Sequence, residues 1–496
     1  MSLKNTIFCC LLLWTSNVTA QKNADTPNLI MALLGATPIE EDLQELCDLY
    51  GGRVTGTTAN LEAVEWGLNK FKTAGVAAEK ELFTIASLWI DNSTIATVSG
   101  TTNFTPKVVA KCYSKSTPKT GLKLPIIDVG YGTEEDFAKL GAAVKGKFVL
   151  LETDLCLDVD GLFEEYSNAA VVDARAVKAG AIGIINMASR PKKLLYRFIA
   201  SGGTEHELVN LVMAREDAKR CQRILRSGGD LDFGLILEVG TEEENASYNV
   251  LAEIKGTERP EEVVIIGAHL DSWGLGTGAN DNGCNVAMMI DIARQMQKNN
   301  IQPKRTIRFA LWNGEEQGYF GSWGYTKKHQ KELDKHIMAM SVDIGSGAIN
   351  GFFTNGRPTI QKITKQIAAP VAALGAKTML DVPIIGTDNF DFMLEGVANL
   401  VASHQPFNYG PNYHASSDTY DKVDLEALKV NSAIVAAVTL GFANLPVEQV
   451  TWKRQSHTEV AALIEQFNLE FSMRMFGVWT DWERGKRGRL KEKNNK

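Results

Sequence analysis

Five residues between positions 269 and 414 are of the types that hold divalent metals: His269, Asp281, Glu316, Asp343 and His414. Each either follows a short apolar run or opens a helix. Two imidazoles and three carboxylates suit a pair of zinc ions, because one carboxylate has two oxygens and can bridge two cations. Glu315 adjoins one of the five. Adjacent glutamates after an extended run point in different directions, so one can bind metal while the other handles a proton. The chemistry this set could perform is hydrolysis by activated water.

Each residue has a local setting. The run Val263 to Ala268 leads into His269-Leu270-Asp271. Asp271 lies on the same side of an extended chain as His269 and can hold the ring or its neighbours. Asp281 sits in the glycine-rich stretch Gly276 to Gly283, where the backbone can approach a ligand closely. Glu315 and Glu316 follow the strand-like run Phe309 to Trp312, and Asp343 follows Met338 to Val342. His414 precedes Asp418, which is available to support it. Taken singly, these are a helix cap, an acidic pair and solvated loop residues. Taken in order at successive strand ends, they form a site of the kind α/β sheets build at the carboxyl ends of parallel strands. Cys284, just beyond Asp281, reads as a small buried helix residue and not as a sixth ligand.

These residues need an α/β scaffold to position them. From about residue 245 the chain alternates strand and helix with short connections, the pattern of a mainly parallel sheet flanked by helices. Strands are expected over Val263 to Ala268, Thr306 to Trp312, Ile337 to Val342 and Leu400 to Ala402. A helix carries Val286, Met289, Ile290, Ala293 and Met296 on one face, and helical patterning returns over Leu425 to Ala443 and Val460 to Phe471. Upstream, a helix over Leu61 to Thr73 precedes separate strand-like stretches at Leu82 to Ile90 and Ile95 to Val98. Residues 115–240 read as a second module: strand Phe148 to Leu151, helix Asp173 to Lys178, strand Ile182 to Asn186. The chain therefore divides into a leader (1–20), a first catalytic part (21–114), the module (115–240), a second catalytic part (241–482) and a solvated, polar basic tail (483–496).

The 496 residues are 44% hydrophobic with a net charge of −7, so no basic field points to nucleic acid. The first 20 residues read as a signal peptide, with Lys4, an apolar core from Ile7 to Trp14, and cleavage after Ala20. This implies a secreted or periplasmic protein. No second stretch of about 20 apolar residues suggests a membrane span. Five cysteines follow the leader, an odd number without a disulfide framework, and read as buried or free thiols with at most one or two bridges. Sequons at Asn92, Asn103 and Asn245 matter only in a glycosylating host.

The stretches His269-Leu270-Asp271-Ser272-Trp273, Gly278 to Gly283, Leu311 to Gly318 and Tyr413 to Thr419 resemble the di-zinc exopeptidase family, and most of all its carboxypeptidase Q-like branch. The module at 115–240 resembles the protease-associated insert of several such enzymes. The resemblance implies two Zn2+ per chain, with His269 and Asp343 on one, Glu316 and His414 on the other, Asp281 bridging and Glu315 as general base. It implies peptide or dipeptide substrates, either an aminopeptidase or a dipeptidase, and a possible homodimer. Where many members have Ser-Asp-His, this chain has Thr387-Asp388-Asn389, which leaves the histidine's contact with substrate without a counterpart. A substrate carboxylate would need a cation. Arg190, Lys192, Lys193 and Arg197 cluster in the insert but read as a solvated basic helix. Two other readings share the fold: a single-zinc glutaminyl cyclase-like transferase, which lacks part of the first ligand set, and a receptor-like homologue whose zinc site has decayed.

Overall fold

A computed structural model describes residues 25–198 and 207–491. The leader and residues 492–496 lie outside the described residues. Thirteen strands run as β1 (Ala77–Gly100), β2 (Val108–Ala110), β3 (Leu122–Asp128), β4 (Phe148–Leu151), β5 (Gly183–Met187), β6 (Val209–Met213), β7 (Leu231–Ile254), β8 (Arg259–His269), β9 (Arg305–Trp312), β10 (His336–Ser341), β11 (Ile349–Phe353), β12 (Thr378–Leu380) and β13 (Asn399–His404). They lie along one hydrogen-bonded path, β12-β11-β13-β10-β8-β9-β7-β3-β4-β5-β6-β2, with β1 paired to β7.

The centre of the catalytic half is parallel: β9, β8, β10 and β13. Both faces of β8 and β10 are covered. Val264, Ile266, Met338 and Met340 enter the main core, while Val263, Ile265 and Ala339 enter a second cluster behind the sheet. Strands buried on both sides read as unbroken apolar runs, which is why these were visible in the sequence. Register then aligns the strand ends, His269 opposite Trp312 and Ser341 opposite Gly267. His269 ends β8, and the loops after β9 and β10 carry Glu315, Glu316 and Asp343 to the same edge.

Among the helices that pack this half are α1 (Thr58–Thr73), α3 (Cys284–Lys298) and α4 (Leu425–Ala443), with α2 (Val159–Lys178) in the accessory half. Thr57 caps α1 by accepting from Asn60 N, and Asp424 caps α4 by accepting from Ala427 N. Met288, Met289, Ile290 and Ile292 of α3 are fully buried, each stabilising the fold by roughly 1.5–3 kcal/mol. Helix α4, 19 residues long, is by length and composition apolar enough to cross a membrane, so the expectation of no second spanning-length stretch is corrected. It packs in the main core, and 67% of its most apolar window is buried.

The two halves are joined by a long antiparallel ribbon. β1 pairs with β7 from Ala77↔Glu253 to Gly100↔Leu231, with one register shift between Asp91 and Ser93. The stretches read as two strands at 82–90 and 95–98 are thus one strand, bulged where the sequence looked interrupted. The far end of β7 pairs with β9 and its near end with β3. Residue 240 falls inside β7, and β2 pairs with β6, so the accessory sheet draws on residues outside 115–240.

Two further expectations are corrected. The helix expected over 460–471 is two helices, His457–Gln466 and Glu470–Met475, separated where Asn468 adopts φ 52°. The basic segment 483–491 is not a free solvated tail. Arg487 is 5% exposed, donates from Nε and Nη2 to the two Asp391 oxygens at 2.7 Å each, and stacks over Trp323. Arg489 Nη1 donates to the Gln455 carbonyl. The charge pattern suggested solvent, but a bidentate ion pair docks the segment on the catalytic half.

Candidate metal centre

The strand-end loops bring all five predicted ligand residues together, each at least 92% buried. His269, Asp281 and Asp343 form one group whose ligand atoms lie within 4.8 Å of one another; Asp281, Glu316 and His414 form another. His269 Nε2 lies 3.1 Å from Asp281 Oδ1 and 3.0 Å from Asp343 Oδ1. His414 Nε2 lies 3.1 Å from Asp281 Oδ2 and 2.9 Å from Glu316 Oε2. Asp281 thus gives one oxygen to each group. With Nε2 of each imidazole unprotonated, Asp281 Oδ2, Glu316 Oε1 and Asp343 Oδ1 are buried without a hydrogen-bond donor. Three buried carboxylates with oxygens left unpaired would be costly in a site meant to stay free of cations. The donor set of two imidazoles and three carboxylates fits two zinc ions.

Neighbours fix each ligand. His269 Nδ1 is 2.9 Å from the Asp271 carbonyl oxygen, and His414 Nδ1 is 2.9 Å from the Arg197 carbonyl oxygen. A carbonyl can only accept, so Nδ1 keeps its hydrogen in both rings and Nε2 is the atom left for metal. The Asp271 carboxylate accepts from Glu315 N, Glu316 N and Thr55 Oγ1, so it orients the glutamate pair while its own carbonyl orients His269. Asp418 does not reach His414 as supposed from the sequence; it accepts from Asn280 N at 2.8 Å and Asp281 N at 3.1 Å and so holds the bridging loop. The Asp281–Asn282 peptide is cis. Gly276 packs so tightly that a Cβ would come 2.5 Å from the Ala415 carbonyl oxygen. Cys284 is buried and belongs to neither ligand group. Cys47, Cys112, Cys156 and Cys221 are likewise buried free thiols.

Arg53 escaped the sequence reading, since nothing local distinguishes it. Fully buried, it donates to the carbonyls of Leu270, Gly51, Thr277 and Gly278 at 2.6–2.9 Å. It thereby ties the loop after β8 to the loop that carries Asp281. Arg53→Met is expected to strand several buried carbonyls and to destabilise the protein by at least about 3 kcal/mol. Urea unfolding of both proteins measures this, and an unchanged midpoint would contradict it.

The basic cluster in the accessory half is not a helix. Residues 188–198 form an irregular strap. Arg190 pairs with Glu165 at 2.7 Å and stacks on Tyr196; Lys193 pairs with Asp217 at 2.8 Å; Arg197 pairs with Asp91 at 2.6 Å. Arg190 and Arg197 are buried because these ion pairs and aromatic faces replace water. Asn389, where the resemblance leads one to look for a histidine, turns into the structure and donates to the Ile384 carbonyl and Asn399 Oδ1. His206, which reads from the sequence as a surface or loop histidine and not as a ligand, lies outside the described residues.

A cavity of about 170 Å³ opens onto the two groups, lined by Glu315, Glu316, Asp343 and His414 on one side. Leu162, Phe163 and Tyr166 of α2, with Tyr319, Ile385 and Phe476, supply apolar walls. Among the described residues, no arginine or lysine lines it.

Electrostatics match the geometry. Burial first, then the nearby Asp343, Glu316 and Asp388 carboxylates, push Glu315 well above the usual carboxylate range against the pull of His269. Burial raises Glu316 to about 7 and Asp343 to about 6. Burial would lower His414, but Glu316 and Asp281 outweigh it and raise it to about 9.

Residues 249–439 match the family model for peptidase family M28, a span that holds all five ligand residues and Glu315. The peptidase M28 precursor of Shewanella amazonensis superposes with a TM-score of 0.78 at 26% identity, over 86% of this chain and 98% of that one. The stretch 249–439 of the chain is therefore similar to peptidase family M28. Carboxypeptidase Q of Rattus norvegicus is 29% identical over 46% of this chain and 48% of its own, so the chain spans about half the length of that relative. The probable lipoprotein aminopeptidase LpqL of Mycobacterium tuberculosis is 26% identical over 79% of this chain and 81% of its own.

Proposed function

We propose that this chain is a di-zinc exopeptidase that removes residues from the free amino end of peptides outside the cytoplasm. The division of the Asp281 oxygens between two three-residue groups is the observation that carries the reading. His269 and Asp343 would hold one zinc, Glu316 and His414 the other, and Asp281 would bridge them. Bound zinc supplies Lewis-acid polarisation of the peptide carbonyl and lowers the pKa of water toward neutrality. Glu315 takes the proton from the attacking water and returns it to the leaving amine. Asp271 aims Glu315 through its backbone N–H. Segment 115–240 serves as a protease-associated-like insert that walls the cleft with Leu162, Phe163 and Tyr166.

The amino end is favoured because no cationic side chain among the described residues lines the cleft to receive a terminal carboxylate. A second reading, cleavage of unblocked dipeptides, is favoured by the similarity to carboxypeptidase Q. Release of amino acids from unblocked, N-blocked and C-amidated dipeptides, with and without a chelator, separates the two. Chelator-sensitive cleavage of amidated and unblocked substrates alike is expected. Cleavage of unblocked substrates alone would establish the dipeptidase. Bound zinc without cleavage would overturn both in favour of a cyclase-like or receptor-like role.

Metal uptake has a predicted pH dependence. In the metal-free protein Glu316, Asp343 and His414 hold protons near or below pH 6–7 by the shifts given above, and a cation binds only the deprotonated groups. Zinc binding at pH 6.5 is therefore expected to release protons, and affinity to fall as pH drops. Calorimetry in two buffers of different ionisation enthalpy measures the release, and none would contradict the assignment.

A further inference from the structure

The geometry points to Arg197 as a positioning residue for one half of the metal centre: its carbonyl orients His414, and its side chain fixes that carbonyl. This rests on the di-zinc reading above.

Arg197 belongs to the strap of the accessory half, 217 residues from His414. The two residues nevertheless exchange hydrogen bonds. Arg197 N donates to the His414 carbonyl at 3.1 Å, and His414 Nδ1–H donates to the Arg197 carbonyl at 2.9 Å. Ser416 N donates to the Leu195 carbonyl at 2.9 Å, and Tyr196 bridges Ala415 in antiparallel fashion. The catalytic half has no other acceptor on this imidazole nitrogen among the described residues. His414 also adopts φ 55°, a left-handed conformation that a non-glycine residue holds only when its surroundings enforce it.

The strap is held in turn by the Arg197 side chain. The guanidinium is buried, donates from Nη2 to Asp91 Oδ2 at 2.6 Å, and lies over two indoles, Trp89 at 5.0 Å and Trp273 at 5.7 Å. Trp273 meets the His414 ring edge-on at 6.0 Å. Asp91 sits at the register shift of the ribbon that joins the halves. The path from ribbon to ligand is therefore Asp91, Arg197 guanidinium, Arg197 carbonyl, His414 Nδ1. Without the clamp the imidazole loses the acceptor that fixes its tautomer and direction. An acceptor behind a ligating histidine is typically worth about 10–100-fold in metal affinity. Only the His414–Glu316 ion depends on this path, because His269 is oriented by Asp271. Lysine would keep the charge toward Asp91 but not the flat face between the indoles.

The test is zinc titration of metal-stripped protein against a competing chelator, repeated with Co2+ followed by its absorption spectrum. Wild type should take up two ions. Arg197→Met should keep the first near wild-type affinity and weaken the second by about 10–100-fold, with Arg197→Lys in between. Asp91→Asn should shift the same ion in the same direction. In a His414→Ala background, Arg197→Met should produce no further loss, as expected when one residue acts through the other. Equal affinities in wild type and Arg197→Met, equal weakening of both ions, or additive losses in the double variant would each overturn the proposal. Should Arg197→Met fail to fold, Arg197→Lys decides: an unchanged second ion overturns the proposal and a selectively weakened one supports it. If wild type takes up no metal, the di-zinc reading itself fails.

Discussion

Glu315→Gln is expected to retain two zinc ions and to lose roughly 10²–10⁴-fold in kcat, the usual contribution of a positioned general base. The substitution keeps shape and backbone, so Asp271 still accepts from residue 315 N. Neither group of ligand atoms includes Glu315, so metal content should not change. What is lost is the carboxylate that receives a proton. In the metal-free protein burial and neighbouring carboxylates hold this group protonated well above the usual range; nearby cations oppose that shift and favour the ionised form. A base works only when deprotonated, so wild-type kcat/KM is expected to fall as pH drops through the pKa of this group. The glutamine variant should lack that acidic limb as well as the rate. Turnover within a few-fold of wild type, with both ions present, would sink the assignment of Glu315 as base.

Part of the candidate site was legible because four of its residues share a local signature: an apolar run buried on both faces, then a residue of a type that binds metal or moves a proton. His269 ends β8, and Glu315, Glu316 and Asp343 closely follow β9 and β10, where alignment of the parallel strands brings their ends together. The residues that aim the ligands carry no such mark. Asp418 was assigned to His414 on sequence proximity, yet it caps the backbone at Asn280 and Asp281 across 137 and 138 positions. Arg53 acts through four carbonyls, and carbonyls have no sequence identity to read. The strap at 188–198 and the segment around Arg487 looked solvated because charge was counted without its partners; Glu165, Asp91 and Asp391 lie 25, 106 and 96 residues away. The β1–β7 ribbon was missed for the same reason, since its pairing joins residues as far apart as Ala77 and Glu253. Local periodicity reports which face of an element is buried, and it does not report what lies across from it.

Asp281 sets the sharpest test of whether the two groups form one centre. His269→Ala or Asp343→Asn removes a ligand from one group only, and each should leave the His414–Glu316 side able to hold an ion. Asp281→Ala removes Oδ1 from beside His269 and Oδ2 from beside His414 together. Loss of both ions and of all chelator-sensitive activity is expected, although the substitution touches one residue. Thermal unfolding reads this without any substrate. An ion that binds the folded chain stabilises it by about 2.7 kcal/mol at 100 times its dissociation constant, so zinc should raise the unfolding temperature of wild type most and of the single-group variants less. For Asp281→Ala it should raise nothing. The metal-free comparison guards against a trivial result: Asp281 is held below its usual pKa because His269 and His414 outweigh its burial, so its removal also weakens the unloaded protein. The zinc-dependent increment, and not the absolute midpoint, is therefore the quantity that decides. A full increment in Asp281→Ala would mean that each group holds its ion without the bridge, and the two-oxygen division would then be a coincidence of packing.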